Sequence, residues 1–237
     1  MMAGNILVQS MPEEIGTDLM GGGAPFNVET GEQANREMLG GSHVFIVTEG
    51  IASKFLHNSD GRVSEVGMVG REAIFPISAL LRVPGALRLV VAQVGPLAGR
   101  VIRTKDFHAI LAGSEEARDL VNKYIYAFLV QVGTNLMTSE QNPVAARIAR
   151  WLLMCHDRID GDCIHLTQEA LADMSFAHRP TVTRVLSDLR QQGLIGTSRA
   201  QVEILSRAGL IALANGSYGA AAGYYNKHIC EFGKGLG

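Results

Sequence analysis

The hydrophobic positions of the chain change their spacing along the sequence, and each spacing predicts a different kind of element. Residues 5–20 have the spacing of a short amphipathic helix, and a glycine-rich connection follows it. Apolar and polar residues then alternate in short runs, which predict β-strands at residues 43–48, 51–57, 62–68, 87–94 and 99–103. Residues 58–61 (NSDG) are typical of a hairpin turn. Several short strands at close spacing predict an all-β sandwich or barrel in this half of the chain.

The spacing becomes helical again at Ser114 and predicts one helix of about 25 residues with a single apolar seam. The seam consists of Val121, Ile125, Phe128, Val132 and Leu136. Such a seam packs either against the same seam of a second copy, as a two-stranded coil, or against the β domain of its own chain. Pro143 begins the next predicted helix, which runs to about Asp157 with Arg147 and Arg150 on its outer side.

Residues 166–195 have the pattern of two short helices joined by a tight turn. Thr167 is placed to cap the first helix, and the second is predicted from Arg179 to Gln192, with Pro180 in its first turn and Gly193 at its end. The apolar residues of the second helix form one buried stripe, made of Val182, Val185, Leu186 and Leu189. Its other face is rich in Arg, Thr and His, which reach base edges and phosphates from a major groove. A plain helical corner is the alternative interpretation.

A β-hairpin is predicted directly after the second helix, from Ile195 to Leu205, with Arg199 near its tip. A hairpin in this position makes a winged helix, in which Arg199 would lie beside the DNA backbone. Residues 206–214 predict a short closing helix, and a weak helix near residues 224–232 is predicted to pack on the same domain or to fray.

The C-terminal third resembles the Crp/Fnr regulators, bacterial transcription factors related to the cyclic-AMP receptor protein. The motifs that carry the resemblance are ARWLLMCHDRIDGD, LTQEALADM, HRPTVTRVLSDLRQQGLI and VEILSRAGLIALA. A weaker resemblance in the N-terminal half is carried by VTEG, SDGRVSEVGMVGRE and DFHAIL. The resemblance implies an α+β fold, with an N-terminal β jelly roll like that of cyclic-nucleotide-binding domains (residues 1–113), a long dimerisation helix (114–142) and a C-terminal winged helix-turn-helix (143–237).

The resemblance also implies a function. It predicts a sequence-specific transcription regulator that binds a near-palindromic operator in double-stranded DNA as a homodimer, through the helix Arg179–Gln192. The implied DNA contacts come from Thr167, His178, Arg179, Thr181, Arg184 and Arg199. Arg179 and Arg184 look like the family's base-reading arginines, which donate to guanine. The apolar seam of the long helix would be the dimer interface, and RNA polymerase is a further candidate partner.

The same resemblance bears on ligands. In relatives that bind a cyclic nucleotide, a glycine and glutamate segment holds the ribose and an arginine pairs with the phosphate. Gly70, Arg71 and Glu72 occupy the first segment, but the position of the phosphate arginine falls near Ala92. Cyclic-nucleotide binding is therefore not favoured, although Arg88 or Arg71 is a candidate substitute. No cysteine precedes residue 155, so we expect no N-terminal iron–sulfur cluster, and the sequence predicts no cofactor and leaves the effector unknown.

Composition and charge add to this interpretation. The 237 residues, 47% hydrophobic and 19% charged, suffice for two modest domains. The net charge of −2 does not indicate a nucleic-acid partner, yet residues 175–207 hold five arginines against two acidic residues. The N-terminus lacks the pattern of a signal peptide, and no membrane span is predicted, so we expect a cytoplasmic protein. The cysteines and histidines of residues 155–165 lack the spacing of a zinc finger, and we predict no metal site.

Two other functional classes remain open. The turn between the two helices usually holds a glycine, but this chain has Phe176 there. This departure favours the alternative of a dimeric small-molecule-binding sensor with impaired or lost DNA binding. An enzyme is not expected, because the sequence contains no catalytic Ser/His/Asp or Cys/His arrangement, P-loop or dinucleotide fingerprint.

Overall fold

The computed structural model describes residues 4–34, 38–57, 63–85, 89–175 and 177–235. The predicted hairpin turn at residues 58–61 lies outside the described residues, and so do Arg88 and Phe176.

The N-terminal segment forms two helices where the spacing predicts one, α1 (Ile6–Gln9) and α2 (Glu13–Gly22). The break falls before Pro12, which precedes the first residue of α2, because proline is tolerated at the start of a helix but disrupts its interior. The side-chain amide of Asn5 donates to the carbonyls of Val47 and Ala73 and so ties this segment to the β domain.

The β domain is an antiparallel roll, residues 24–103. Its strands are β1 (Ala24–Val28), β2 (His43–His57), β3 (Val63–Val69), β4 (Ile74–Phe75) and β5 (Leu89–Arg103). The sheet order is β1-β5-β2-β3, and β4 pairs with β2. Two pairs of predicted strands are single strands of 15 residues, because the predicted breaks are irregularities within β2 and β5. In β2 the irregularity includes Gly50, whose φ is +79°.

Two short helices, α3 (Ile77–Leu80) and α4 (Thr104–Ala112), flank the roll before the long helix α5 (Glu115–Gln141) begins. The side chain of Ser114 caps α5 by accepting from the backbone N–H of Ala117 at 3.1 Å. One side of α5 packs into the core of the roll.

The C-terminal domain, residues 143–214, consists of α6 (Val144–His156), β6 (Cys163–His165), α7 (Gln168–Ser175), α8 (Arg179–Gln191), β7 (Ile195–Ser198), β8 (Gln201–Ile204) and α9 (Arg207–Leu213). The strands form a small antiparallel sheet in the order β6-β8-β7. The core of this domain also includes Ile51, Met68 and Val94 of the roll, so the two domains share apolar packing.

Helix α10 (Ala220–His228) follows and packs against α5 and the core of the roll, so both its bounds and its place differ from the prediction. The predicted outer position of Arg150 is also wrong, because this residue is buried and its Nε donates to the carbonyl of Ser217. No helix among the described residues has the length and apolar character needed to cross a membrane.

Candidate nucleic-acid interface

The helix pair α7–α8 forms from local signals. The hydroxyl of Thr167 accepts from the backbone N–H of Ala170 at 3.1 Å and so caps the start of α7. Pro180 lies in the first turn of α8, and Gly193, with φ +69°, follows its end. The predicted apolar stripe of α8 is buried against α6 and α7. These contacts fix the direction of α8 and leave its polar face outside.

The exposed face of α8 and the β7–β8 hairpin border a depression of about 380 Å³. We call it the reading depression, and it is lined by Leu166, Thr167, Gln168, Arg179, Leu186 and residues 197–202. It brings together Thr167, Arg179 and Arg199, which lie far apart in sequence. Most of the side chains that line the depression are polar, and the depression is open to solvent.

The other predicted DNA contacts lie outside this depression. Arg184 is exposed on α8, and Thr181 is half-buried. His178 is exposed just before α8 and faces a cleft between the C-terminal domain and the roll, next to Phe55 and Gln93. The structure therefore collects three of the six predicted contacts into one depression and leaves three around it.

The arginines of this surface have no acidic partner in the described part of the chain. Among the described residues, Arg179, Arg184 and Arg199 form no ion pair, and all are exposed. Unpaired guanidinium groups on one surface are free to donate to phosphates or to guanine.

One polar residue that lines the reading depression and links its helices was missed by the sequence reasoning. Gln168 accepts from the hydroxyl of Thr183 at 2.9 Å and so links α7 to α8, and only its position after the helix cap could have suggested it.

The residues predicted to hold a ligand are engaged by the C-terminal domain instead. Glu72 forms a buried ion pair with Arg158, with 2.7 Å between Oε1 and Nη2, and Gly70 packs against the Arg158 side chain. Arg71 pairs with the exposed Asp160 at 3.0 Å. Burial lowers the pKa of Arg158, but Glu72 and Asp157 more than offset this and raise it. Ala92, at the position of the phosphate arginine, is fully buried in β5.

A buried lysine, which sequence reasoning missed, lies inside the roll. The Lys54 ammonium is 4.2 Å from the ring centroid of Phe128, and burial lowers the pKa of Lys54 to about 7 against the opposing attraction of Glu72. It borders an apolar cavity of about 220 Å³ lined also by Leu39, Ile77 and Val90. Ser53 and Lys54 are adjacent on one strand, so their side chains point to opposite faces of the sheet. This alternation was the signal in the sequence that could have placed Lys54 inside the roll.

The predicted seam of α5 does not form a free surface. Val121 and Phe128 are buried in the chain's own core, Ile125 and Val132 pack against that core, and only Leu136 is exposed. The self-packing alternative therefore describes most of the seam. The exposed apolar side of α5 consists of Tyr126, Leu129, Leu136 and Met137.

The cysteine and histidine cluster is used for packing and polar contacts. Cys155 is fully buried, and burial raises its pKa well above the usual range. His156 lies 2.7 Å from Asp162 and 3.0 Å from Arg207, and burial lowers its pKa. Within the described part of the chain, no group of three or more His, Cys, Asp or Glu side chains is arranged to hold a metal ion.

Comparison with known proteins identifies the C-terminal domain. Residues 146–213 match the model of the Crp-like helix-turn-helix domain. The transcriptional regulator LdrP, from two strains of Thermus thermophilus, is 36% identical over 93 residues. That match covers 37% of this chain and 46% of LdrP, so the chain spans about half the length of these curated relatives.

Solved structures extend the similarity to most of the chain. TTHB099, a CRP-family transcriptional regulator from Thermus thermophilus, superposes with a TM-score of 0.67 and 22% identity, covering 82% of this chain and 99% of that one. FixK2 from Bradyrhizobium japonicum superposes with a TM-score of 0.63 and 17% identity, covering 81% of this chain and 96% of that one. A CooA mutant from Carboxydothermus hydrogenoformans superposes with a TM-score of 0.64 and 14% identity, covering 90% of this chain and 96% of that one.

These findings confirm the resemblance that the sequence motifs indicate, and the α+β fold with it. The chain has the fold of the Crp/Fnr regulators, and its residues 146–213 form a Crp-like helix-turn-helix domain.

Proposed function

We propose that the chain is a transcription regulator that binds a near-palindromic operator as a homodimer through α8. The observation that carries this proposal is the set of exposed arginines, unpaired among the described residues, around α8 and the hairpin. In the proposed complex Arg179 and Arg184 donate to guanine O6 and N7. Thr167, His178, Thr181 and Arg199 contact the phosphate backbone and set the register.

The proposed dimer uses the exposed apolar side of α5. Tyr126, Leu129, Leu136 and Met137 are large apolar residues that are each more than half exposed, and a patch of this kind marks an interaction surface. Packing of two α5 helices along it, as a two-stranded coil, would relate the α8 helices by a two-fold axis. The two half-sites would then lie about 34 Å apart, or one turn of DNA.

The test is to select, from random-sequence duplex DNA, the sequences that the purified protein binds. The selection is made at two salt concentrations, without added ligand. We expect an enriched two-fold symmetric site, and affinity for it that falls steeply as salt rises. A Leu129→Glu variant should be monomeric in sedimentation and should lose the symmetric site, whereas Lys105→Ala, an exposed change on α4, should alter neither. Binding that is equal on all sequences would contradict the proposal.

A location and a further partner follow from this role. A transcription regulator works where the DNA is, so the proposed location is the cytoplasm, and RNA polymerase is a proposed partner. Neither is required for the DNA selection experiment.

The cavity beside Lys54 favours a second role, the binding of a small effector. An apolar cavity with a lysine in its wall suits a small apolar molecule that carries an acidic group. A short-chain fatty acid is a direct probe, because a ligand that binds only the folded state raises the Tm. We expect a shift for the wild type and none for Lys54→Met, and an equal shift in both would exclude this site.

A further inference from the structure

The C-terminal segment, residues 217–235, bridges three parts of the molecule. We call it the tail, and it follows the matched helix-turn-helix domain, which ends at residue 213. Its first residue accepts a hydrogen bond from the buried Arg150 of α6. Tyr225 of α10 is buried and donates from its hydroxyl to the carbonyl of Glu72 at 3.1 Å. The ring of Tyr224 packs on that of Tyr126 of α5, tilted by 47°, with ring centroids 4.8 Å apart.

The end of the tail is held by aromatic and charged contacts. Phe232 is buried, and its ring centroid lies 5.1 Å from the guanidinium of Arg158, the partner of Glu72. Aromatic rings and arginine attract each other in this arrangement. The ring also lies 5.1 Å from that of Tyr225, so the chain turns back on itself after α10.

A polar cluster around Asp157 and Arg207 holds both ends of the tail. Asp157 accepts from the hydroxyl of Tyr218 at 2.6 Å and from the backbone N–H of Lys234 at 3.1 Å. Arg207 pairs with Asp157 at 2.7 Å and donates to the carbonyl of Gly235 at 2.6 Å. The backbone of Gly233 has φ +79°, and a Cβ there would lie 2.9 Å from Asp157, so only glycine fits without displacement.

We propose that the groove between the roll, α5 and α6 is a peptide-binding site whose ligand is the chain's own tail. The occupied site holds the C-terminal domain in a fixed orientation on the roll, because one segment forms hydrogen bonds with Glu72 and Arg207 and ring contacts with Tyr126 and Arg158. Residues 217–235 do not line the reading depression, so the tail leaves the DNA-binding surface open. Docking therefore preorganises the domain for DNA and increases its affinity. The effect on DNA rests on the proposed function, whereas docking does not.

The experiment compares the full chain with a chain that ends at Asn215, and supplies residues 216–237 as a labelled synthetic peptide. Saturable binding of the peptide to the shortened chain is expected in fluorescence anisotropy. A Phe232→Ala peptide should bind about tenfold or more weakly, since a buried aromatic anchor carries much of the binding energy of such a site. A Glu231→Ala peptide, changed at the exposed neighbour, should bind like the wild type.

The selected operator provides the second measurement. The shortened chain should bind it more weakly than the full chain, and saturating peptide should restore the affinity. A folded shortened chain that does not bind the peptide overturns the docking site, and an affinity for operator that is unchanged or higher overturns the coupling. If the full chain binds no DNA, the proposed function fails while the peptide experiment still decides the docking site.

A variant of the complete chain covers the case in which the shortened chain does not fold. Phe232→Ala should speed hydrogen exchange of the backbone amides in α10 and of residues 70–75, while Glu231→Ala should not. Equal protection in both variants would overturn the docking site.

Discussion

The reading depression and the Gly70–Glu72 segment both contain arginines that the sequence makes candidate ligand contacts, but these arginines have different partners in the structure. Arg179 and Arg199 are exposed and, among the described residues, unpaired, whereas Arg71 and Glu72 pair with Asp160 and Arg158 of the C-terminal domain. Where a charge has a partner within the chain, it serves the fold, and where it has none, it is available to a ligand. The same residue type therefore has different roles in the two regions.

The largest expected effect is on the buried pair. Arg158→Met should lower the free energy of unfolding by about 3–5 kcal/mol, because it leaves the Glu72 carboxylate buried without its partner. Urea unfolding measures this. The double variant Glu72→Met/Arg158→Met should recover most of the loss, and Arg71→Ala, whose partner is mostly exposed, should cost below about 1 kcal/mol. A double variant as unstable as the single one would contradict the ion-pair explanation.

The second effect concerns the unpaired arginines. Arg179→Ala should weaken operator binding by about 1–3 kcal/mol and relax the preference at one base pair in each half-site. Its stability should stay close to that of the wild type, because the side chain is exposed and has no ion pair within the described residues. Titration of the operator and of single-base variants distinguishes the outcomes. Equal weakening on every sequence would assign Arg179 to the phosphates.

The smallest expected effect is the change in the free energy of unfolding per pH unit that a buried carboxyl causes. This carboxyl lies at the contact between the two domains. Glu65 accepts from Ser53 at 3.0 Å, and burial raises the pKa of Glu65 to about 8 against this bond and the charge of Arg150. Between pH 4.5, the ordinary pKa of the unfolded state, and pH 8, the Glu65 carboxyl is protonated in the folded protein and ionised in the unfolded protein. Unfolding in this range therefore releases a proton. Stability should therefore fall between pH 5 and pH 8 by on the order of 1 kcal/mol per unit.

Glu65→Gln isolates this contribution. Relative to the variant, the wild type should lose stability as the pH rises from 5 to 7 in urea titrations. Glu32→Gln, which changes an exposed carboxylate, should follow the wild type. A wild type and Glu65→Gln that change in parallel with pH would show that Glu65 is already ionised in the folded state.

The helices and the hairpin of the C-terminal domain could be predicted almost to the residue, because their signals are local, whereas the three-residue strand β6 was not predicted. Thr167, Pro180 and Gly193 define the starts and the end of α7 and α8 whatever surrounds them. The seam of α5 could not be assigned correctly, because the helix has apolar residues on two sides and spacing alone does not say which side meets the roll. Glu72 and Arg158 are 86 residues apart, and no local pattern predicts such a pair.

Arg147 of α6 joins the end of the long helix α5 to the helix pair α7–α8. Its guanidinium donates to the carbonyls of Ser139 in α5, of Asn142 at the junction and of Ser175 at the end of α7, at 2.8–3.2 Å. These bonds close the junction into a ring, so α5 and α7 cannot bend apart without breaking them. A change in the angle between α5 and α7 would therefore have to break at least one of these three bonds or carry the helix pair α7–α8 along with α5.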